Sequence, residues 1–214
     1  MYIPKHHEET DRDVLHALIR AHPLGAWATL CDGELVVNHV PFLLEAAHEA
    51  NGTLVGHVAR ANPVWRAFSR TSRSIVSFQG VDAYVTPSWY PTKHAHGRAV
   101  PTWNYAVVHV HGVPRVIEDR DWLLCHVTQL TKANEHDQLM PWQVADAPTD
   151  YIDRMLDMIV GIEIPVETLV GKWKVSQNRP TADKLGVVDG LTARAGANDA
   201  RMAALVNRFI PRDK

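Results

Sequence analysis

The order of its hydrophobic runs constrains this chain more than any single residue does. Short runs of β character follow one another through tight-turn dipeptides, and helical patterns come late without regular alternation. Ala26–Cys31 and Glu34–Leu44 read as strands joined by Asp32-Gly33, a two-residue turn of the kind that closes hairpins. Asn51-Gly52 turns the chain into a strand over Thr53–Val58, and Asn62-Pro63 opens a short helix through Phe68. Strands resume at Ser74–Gln79 and Val81–Thr86. Trp103–Ile117 is the longest β signal, with Tyr105, Val107, His109 and His111 on one face and Ala106, Val108 and Val110 on the other. Amphipathic helices are predicted from a Thr10 cap to Ala21, over Asp119–Ala133 and over Pro148–Asp157. Strands at Ile159–Ile164 and Leu169–Val175 follow, then two short helices over Pro180–Phe209, broken around Gly190–Ala197. This order argues against a doubly wound parallel sheet. It predicts a mainly β fold, a small antiparallel barrel with peripheral helices, as one domain over residues 1–214 with a helical tail from about residue 180.

The run from Glu34 to Leu44 is apolar on both faces, with Leu35, Val37 and Leu43 on one and Val36, Val40 and Phe42 on the other. A strand with no wet face is expected to lie between a core and something else, such as a partner subunit. At 214 residues, 46% of them hydrophobic, the chain can bury a sizeable core. Its 22 basic and 24 acidic residues give a net charge of −2, which excludes a whole-surface nucleic-acid binder. The charge is uneven: residues 172–214 carry nine Lys or Arg against four Asp or Glu. Cys31 and Cys125 sit far apart in apolar segments, as buried small hydrophobes do, which fits a reducing compartment. The polar N-terminus and the lack of an apolar run of about 18 residues lead to the expectation of a cytoplasmic protein with no membrane partner.

Phosphate loops of the G-x-G-x-x-G and G-x-x-x-x-G-K-[ST] types and the G-x-S-x-G elbow are missing from the sequence. Of the thirteen histidines, His94-x-His96 and His109-x-His111 have pairwise spacing without a third and fourth ligand, so no metal is expected. VNHVPF and GHVARANPVWR carry more. His57, Arg60 and Asn62 follow a Gly-containing strand and precede a helix start, where N–H groups and one guanidinium can converge on a phosphate; the alternative is a helix cap with a surface arginine. Pro41 removes a ladder donor and predicts a bulge or sheet edge that frees backbone groups at Asn38–Val40 for a ligand. Trp89, Tyr90, Trp103 and Tyr105 flank a loop carrying Lys93 and Arg98, and either cover a barrel mouth or offer stacking faces with polar tips.

Together, VNHVPF, LVGHVARANPVW, VSFQGVDAYVTPSWYPTK, VPTWNYAVVHVHG and GKWKVSQNRPTADKLGV, in that order, resemble the PaiB-type family of FMN-binding negative transcriptional regulators. The resemblance runs from Met1 to about Leu191. It implies a split antiparallel β-barrel, related in fold to pyridoxamine phosphate oxidase and flavin reductases, and a homodimer with FMN in a cleft at the subunit interface. Asn38, His39, Val40 and Pro41 would line the isoalloxazine, and His57, Arg60 and Asn62 would lie towards the phosphate. Thr102, Trp103 and Asn104 would close the pocket. The polar run Lys172, Lys174, Ser176, Gln177, Asn178 and Arg179 would stand beside the flavin or over a second ligand's site.

Two functions compete, with a third behind them. The first is a flavin-bound repressor, for which a tail element carrying Arg194, Arg201, Arg208 and Arg212 is the candidate DNA contact. The apolar stripe Met202, Leu205, Val206 and Phe209 argues that this helix packs on its own domain instead of entering a groove. The second is an FMN-dependent oxidoreductase with a nicotinamide donor, for which no catalytic acid or base stands out although His39, His57 and His109 titrate in the useful range. Haem binding ranks last.

Overall fold

The structure, a computed structural model, describes residues 1–45 and 51–211, and the side chains of all of these except 94–96. In chain order the described elements are β1 (Glu8–Glu9), α1 (Arg12–Ala21), β2 (Leu24–Cys31), β3 (Glu34–Pro41), β4 (Leu43–Glu45), β5 (Thr53–Ala59), α2 (Val64–Ala67) and β6 (Ser74–Val85). They continue as α3 (Pro91–His96), β7 (Thr102–Gly112), β8 (Arg115–Ile117), α4 (Arg120–Glu135), α5 (Thr149–Asp157), β9 (Ile159–Pro165), β10 (Thr168–Lys174), α6 (Thr181–Arg194) and α7 (Asp199–Asn207). The chain gathers into two compact units. The first comprises Met1–Leu18, Gln79–Val108 and Val170–Lys214, and the second Ile19–Phe78 and His109–Leu169.

In the second unit, β2 and β3 form the hairpin expected at Asp32-Gly33, whose φ values of 49° and 89° are both left-handed, as a tight two-residue turn requires. β2 also pairs with the start of β6, so the strand order is β6-β2-β3 and β3 is terminal. The single strand expected over Glu34–Leu44 is divided. Pro41 has no N–H to give and the Phe42 N–H turns to the Pro23 carbonyl at 2.9 Å, so β4 leaves β3 for a second antiparallel sheet, β4-β5-β9-β8. Trp27, Phe42, Phe78, Leu54, Val160, Ile162 and Ile164 fill the core. Trp27 meets Phe68 edge-on, with ring centroids 5.9 Å apart.

In the first unit the strand order is β1-β10-β7-β6. The structure moves several predicted boundaries. Asp11, not Thr10, caps α1, accepting from the N–H groups of Asp13 at 2.9 Å and Val14 at 3.3 Å. β6 is one strand through Gly80, and α6 continues past Gly190 into the range Gly190–Ala197 over which a break was expected. Gly190 stays in the helix because Trp89 packs against it; a Cβ there would stand 2.2 Å from Trp89 Cδ2. The break falls at Ala195, inside the expected range, where α6 ends in the left-handed conformation at φ 52°. Val187, Leu191, Met202 and Val206 are buried, so α6 and α7 belong to the hydrophobic interior of their unit.

Candidate functional site

The residues proposed from the sequence fall into two groups, one in each unit. In the second unit, β3 is the last strand of its sheet, so its outer edge carries backbone groups without a strand partner, as Pro41 foretold. Alternation turns Asn38 and Val40 inward while His39 is exposed and Pro41 half-buried. Asn38 Oδ1 accepts from Asn62 Nδ2 at 2.8 Å, and Asn62 Oδ1 accepts from the Val64 N–H at 3.0 Å to start α2. The two sequence motifs thus meet through an amide pair. Among the described residues Asn38 Nδ2, which is buried, has no hydrogen-bond partner. An amide donor left in this state costs roughly 1–3 kcal/mol unless a ligand or water accepts from it.

His57 and Arg60 are turned to other work. Arg60 donates from Nε to the Asp157 carbonyl at 2.9 Å and from its two terminal nitrogens to Glu118 Oε2 at 2.7 Å and the Ile159 carbonyl at 3.1 Å. It braces the chain on either side of β9, so the free guanidinium expected at a phosphate is already committed within its own unit. His57 Nδ1 lies 3.1 Å from His126 Nε2, and Trp122 stacks on His126 with ring centroids 5.2 Å apart. Gly161 makes room for that stack: a Cβ there would come within 2.4 Å of Trp122 Cζ3. Burial pushes both imidazoles towards the neutral form, His126 down to about 4. His126 lies one helical turn beyond Trp122 on α4, and no motif in the sequence marks it; a Trp-His pair at that spacing is the only local signal.

In the first unit, Lys174 Nζ donates to Thr102 Oγ1 and, at 2.6 Å, to the Trp103 carbonyl. The ammonium groups of Lys172 and Lys174 stand 5.3 Å and 6.0 Å from the centre of the Tyr105 ring. Burial lowers the Lys174 pKa, with the charges of Lys172 and Arg179 adding to the effect. Trp103 is 55% exposed and meets Tyr84 edge-on. Asn104 is fully enclosed and bonds Ser176 Oγ at 3.0 Å. Gln177 Oε1 accepts from the Val175 N–H at 2.8 Å and lies 3.0 Å from His7 Nδ1, while its Nε2 donates to the Trp173 carbonyl. Asn104 and Gln177 therefore hold the turn around Ser176, whose φ is 65°, and leave exposed Asn178 and the cationic residues to meet solvent.

Among the described residues no group of three or more His, Cys, Asp or Glu is placed to hold a metal, and the side chains of His94 and His96 lie outside them. The donor set suits FMN better. An isoalloxazine presents carbonyl and ring-nitrogen acceptors along one edge, which the orphaned Asn38 amide and the open edge of β3 can meet.

Comparison with known proteins points the same way. Residues 1–168 match the family described as "Putative FMN-binding domain". The chain is 30% identical over 206 residues to the Bacillus subtilis protein named Protease synthase and sporulation protein PAI 2, with 96% of each chain covered. It is 33% identical over 225 residues to a protein of Emericella nidulans, covering 89% of this chain and 90% of that one. Among solved structures, the FAD and Heme binding protein from Mycobacterium smegmatis superposes with a TM-score of 0.58 at 20% identity, covering 78% of this chain and 73% of that one. This last likeness is one of fold, and it bears out the mainly antiparallel split-barrel class expected from the sequence.

Proposed function

Because the chain belongs to the FMN-binding domain family, with a PaiB-type homologue at 30% identity and FMN as the family's cofactor, we propose that it acts as an FMN-bound homodimer with a regulatory role. The observation that carries the flavin site is the buried, unpartnered Asn38 amide on a terminal strand. Bound FMN would supply a planar ring system that takes up and releases electrons; the protein supplies position and electrostatics. Asn38, His39, Val40 and Pro41 would meet the ring edge, with Asn62 fixing the Asn38 amide. Within the first unit, Thr102, Trp103 and Asn178 form a polar wall of their own with Lys174 at its margin, and Asn104 and Gln177 keep that wall in shape.

The homodimer reading rests on an apolar sheet face in the second unit. Leu35 and Val37 of β3 are 79% and 57% exposed, and the register sets Leu30 opposite Leu35 and Ala28 beside both Val37 and Ile75. Such a contiguous face on an open-edged sheet invites a partner, and a second copy of the chain is the occupant proposed from the sequence. The regulatory role draws on the Bacillus subtilis relative, which is named for protease synthesis and sporulation. The reading gives the tail helices no part in binding DNA. α7 buries Met202, Ala203 and Val206, and Arg194 is held by Asp199 at 2.5 Å and by the Tyr84 carbonyl at 2.9 Å. Of the tail arginines weighed as DNA contacts, Arg212 lies outside the described residues.

Purified protein is expected to carry flavin absorbance and to retain FMN through gel filtration. Asn38→Leu, which removes the orphaned donor at similar volume, is expected to weaken FMN binding about tenfold, a loss of one charge-neutral hydrogen bond. Protein that neither carries nor takes up FMN would refute the flavin site. A second reading, an FMN-dependent oxidoreductase, is favoured by the exposure of Trp103 and Lys174 to an incoming reactant. Bleaching of the bound flavin by NADH or NADPH, followed by acceptor turnover, selects it over a purely regulatory role.

A further inference from the structure

The first unit gathers positive charge where its own acidic side chains do not answer it. Lys172 and Lys174 project from β10 around the Tyr105 ring, and Arg179 lies over the Tyr90 ring with its guanidinium carbon 4.6 Å from the centroid. Among the described residues none of these three cations makes an ion pair within 4.0 Å. Glu8 stands opposite Lys172 in the β1–β10 register, yet the Lys172 ammonium donates to the Tyr2 carbonyl at 3.1 Å instead. Cations left this close without a carboxylate repel one another; burial is the main cause of the lowered Lys174 pKa, and the charges of Lys172 and Arg179 add to it. Each ammonium has three N–H groups; Lys174 spends two on Thr102 and Trp103, and Lys172 one on Tyr2. Among the described residues the remaining donors of these two ammonium groups have no hydrogen-bond partner.

Beside these donors lies an exposed aromatic surface. Trp103 and Tyr84 are 55% and 39% exposed and meet edge-on at 5.9 Å between centroids, so the Trp103 ring is buttressed on one side and open on another. An aromatic plane next to two or three unpaired cations matches a flat ligand that carries a carboxylate, sulfonate or phosphate on or near its ring. Stacking orients the ring, and charge-assisted hydrogen bonds from lysine fix the anion. A neutral aromatic would gain only the stacking, and a plain anion only the charge.

We infer that the Trp103–Lys174–Lys172 face, with Arg179 at its margin, binds a small anionic aromatic ligand distinct from the flavin. The inference adds a ligand to the flavin reading, but the face is drawn from first-unit residues alone and can be tested with or without FMN. The probe is salicylate, with neutral salicylamide as its uncharged counterpart, titrated by calorimetry into FMN-saturated protein while flavin absorbance is followed. The expected result is salicylate binding about tenfold tighter than salicylamide, with FMN retained. Lys172→Met is expected to weaken salicylate severalfold, because its ammonium makes no other side-chain bond; Lys174→Met should do the same and Lys174→Arg should restore binding. Equal affinity for the two probes, unchanged affinity in both methionine variants, no salicylate binding at millimolar concentration, or displacement of FMN by salicylate would each overturn the inference. If the protein takes up no FMN, the flavin reading fails separately, and the same titration on flavin-free protein still decides this one.

Discussion

At the scale of single residues, position in the sequence and use in the fold part company at Arg60 and His57. His57 lies in a glycine-containing strand and Arg60 just beyond it, ahead of a helix, which is where a phosphate site is sought, but Arg60 is drawn into three hydrogen bonds across its own unit. Arg60→Ala is therefore expected to lower stability by about 1–2 kcal/mol, discounted because the side chain is partly exposed. FMN affinity of the folded variant should be nearly unchanged; a loss of flavin without a loss of denaturation midpoint would return Arg60 to the phosphate. The His57–His126 pair gives a pH signature. His126 titrates near 6.5 when unfolded but is pushed down to about 4 by burial and by His57 in the fold. The unfolded chain thus takes up protons first as pH falls. The stability this neutral pair contributes is complete above 6.5 and drains away towards 4, by about 3 kcal/mol in all. Urea midpoints at pH 7 and pH 5 should differ in the native chain and differ less in His126→Leu, where the other buried histidines still titrate. The sequence could not announce this pair, since its partners come from a strand and a distant helix with no local motif. The Asn38–Asn62 contact was equally hidden: the two motifs were singled out separately, and it is the fold that brings β3 to the residue that starts α2.

At the scale of elements, features written in backbone chemistry were readable and those written in tertiary packing were not. Asp32-Gly33 declares its hairpin through two residues tolerant of positive φ. Asp119 declares the start of α4, where its carboxylate accepts from the Trp122 N–H at 2.7 Å. The division of Glu34–Leu44 was hidden because both halves are apolar and only the destination of the Phe42 N–H separates them. Gly190 looked like a breaker, and its reason for lying inside α6 is Trp89, which is remote in the chain. Gly190→Ala would raise intrinsic helix propensity by about 1 kcal/mol. The new Cβ would sit 2.2–2.5 Å from three Trp89 ring atoms. Net destabilisation of about 1–3 kcal/mol is expected, because overpacking against a fixed ring outweighs propensity. Thermal melts of Gly190→Ala alone and with Trp89→Leu test this. Relief of the loss in the double variant supports the contact, and an independent, additive loss would refute it.

At the scale of the molecule, the apolar face on β2, β3 and β6 sets the assembly question. Leu35→Glu with Val37→Lys should give a monomer in sedimentation equilibrium, because opposing charges on a desolvated face outweigh what its area contributes. A monomer that still holds FMN would place the whole flavin site within one chain; a native chain that already sediments as a monomer would remove the homodimer. The tail matters differently. Lys184 is buried and donates to the Phe209 carbonyl at 2.9 Å, and Asp199 clasps Arg194. The basic segment that a geneticist would delete to ask whether this protein touches a promoter is therefore a keystone of the first unit. A chain ending at residue 180 would lose DNA binding, flavin and everything else by failing to fold, so its silence would say nothing about transcription. Charge reversal at Arg201 and Arg208, both exposed, asks the same question of an intact molecule.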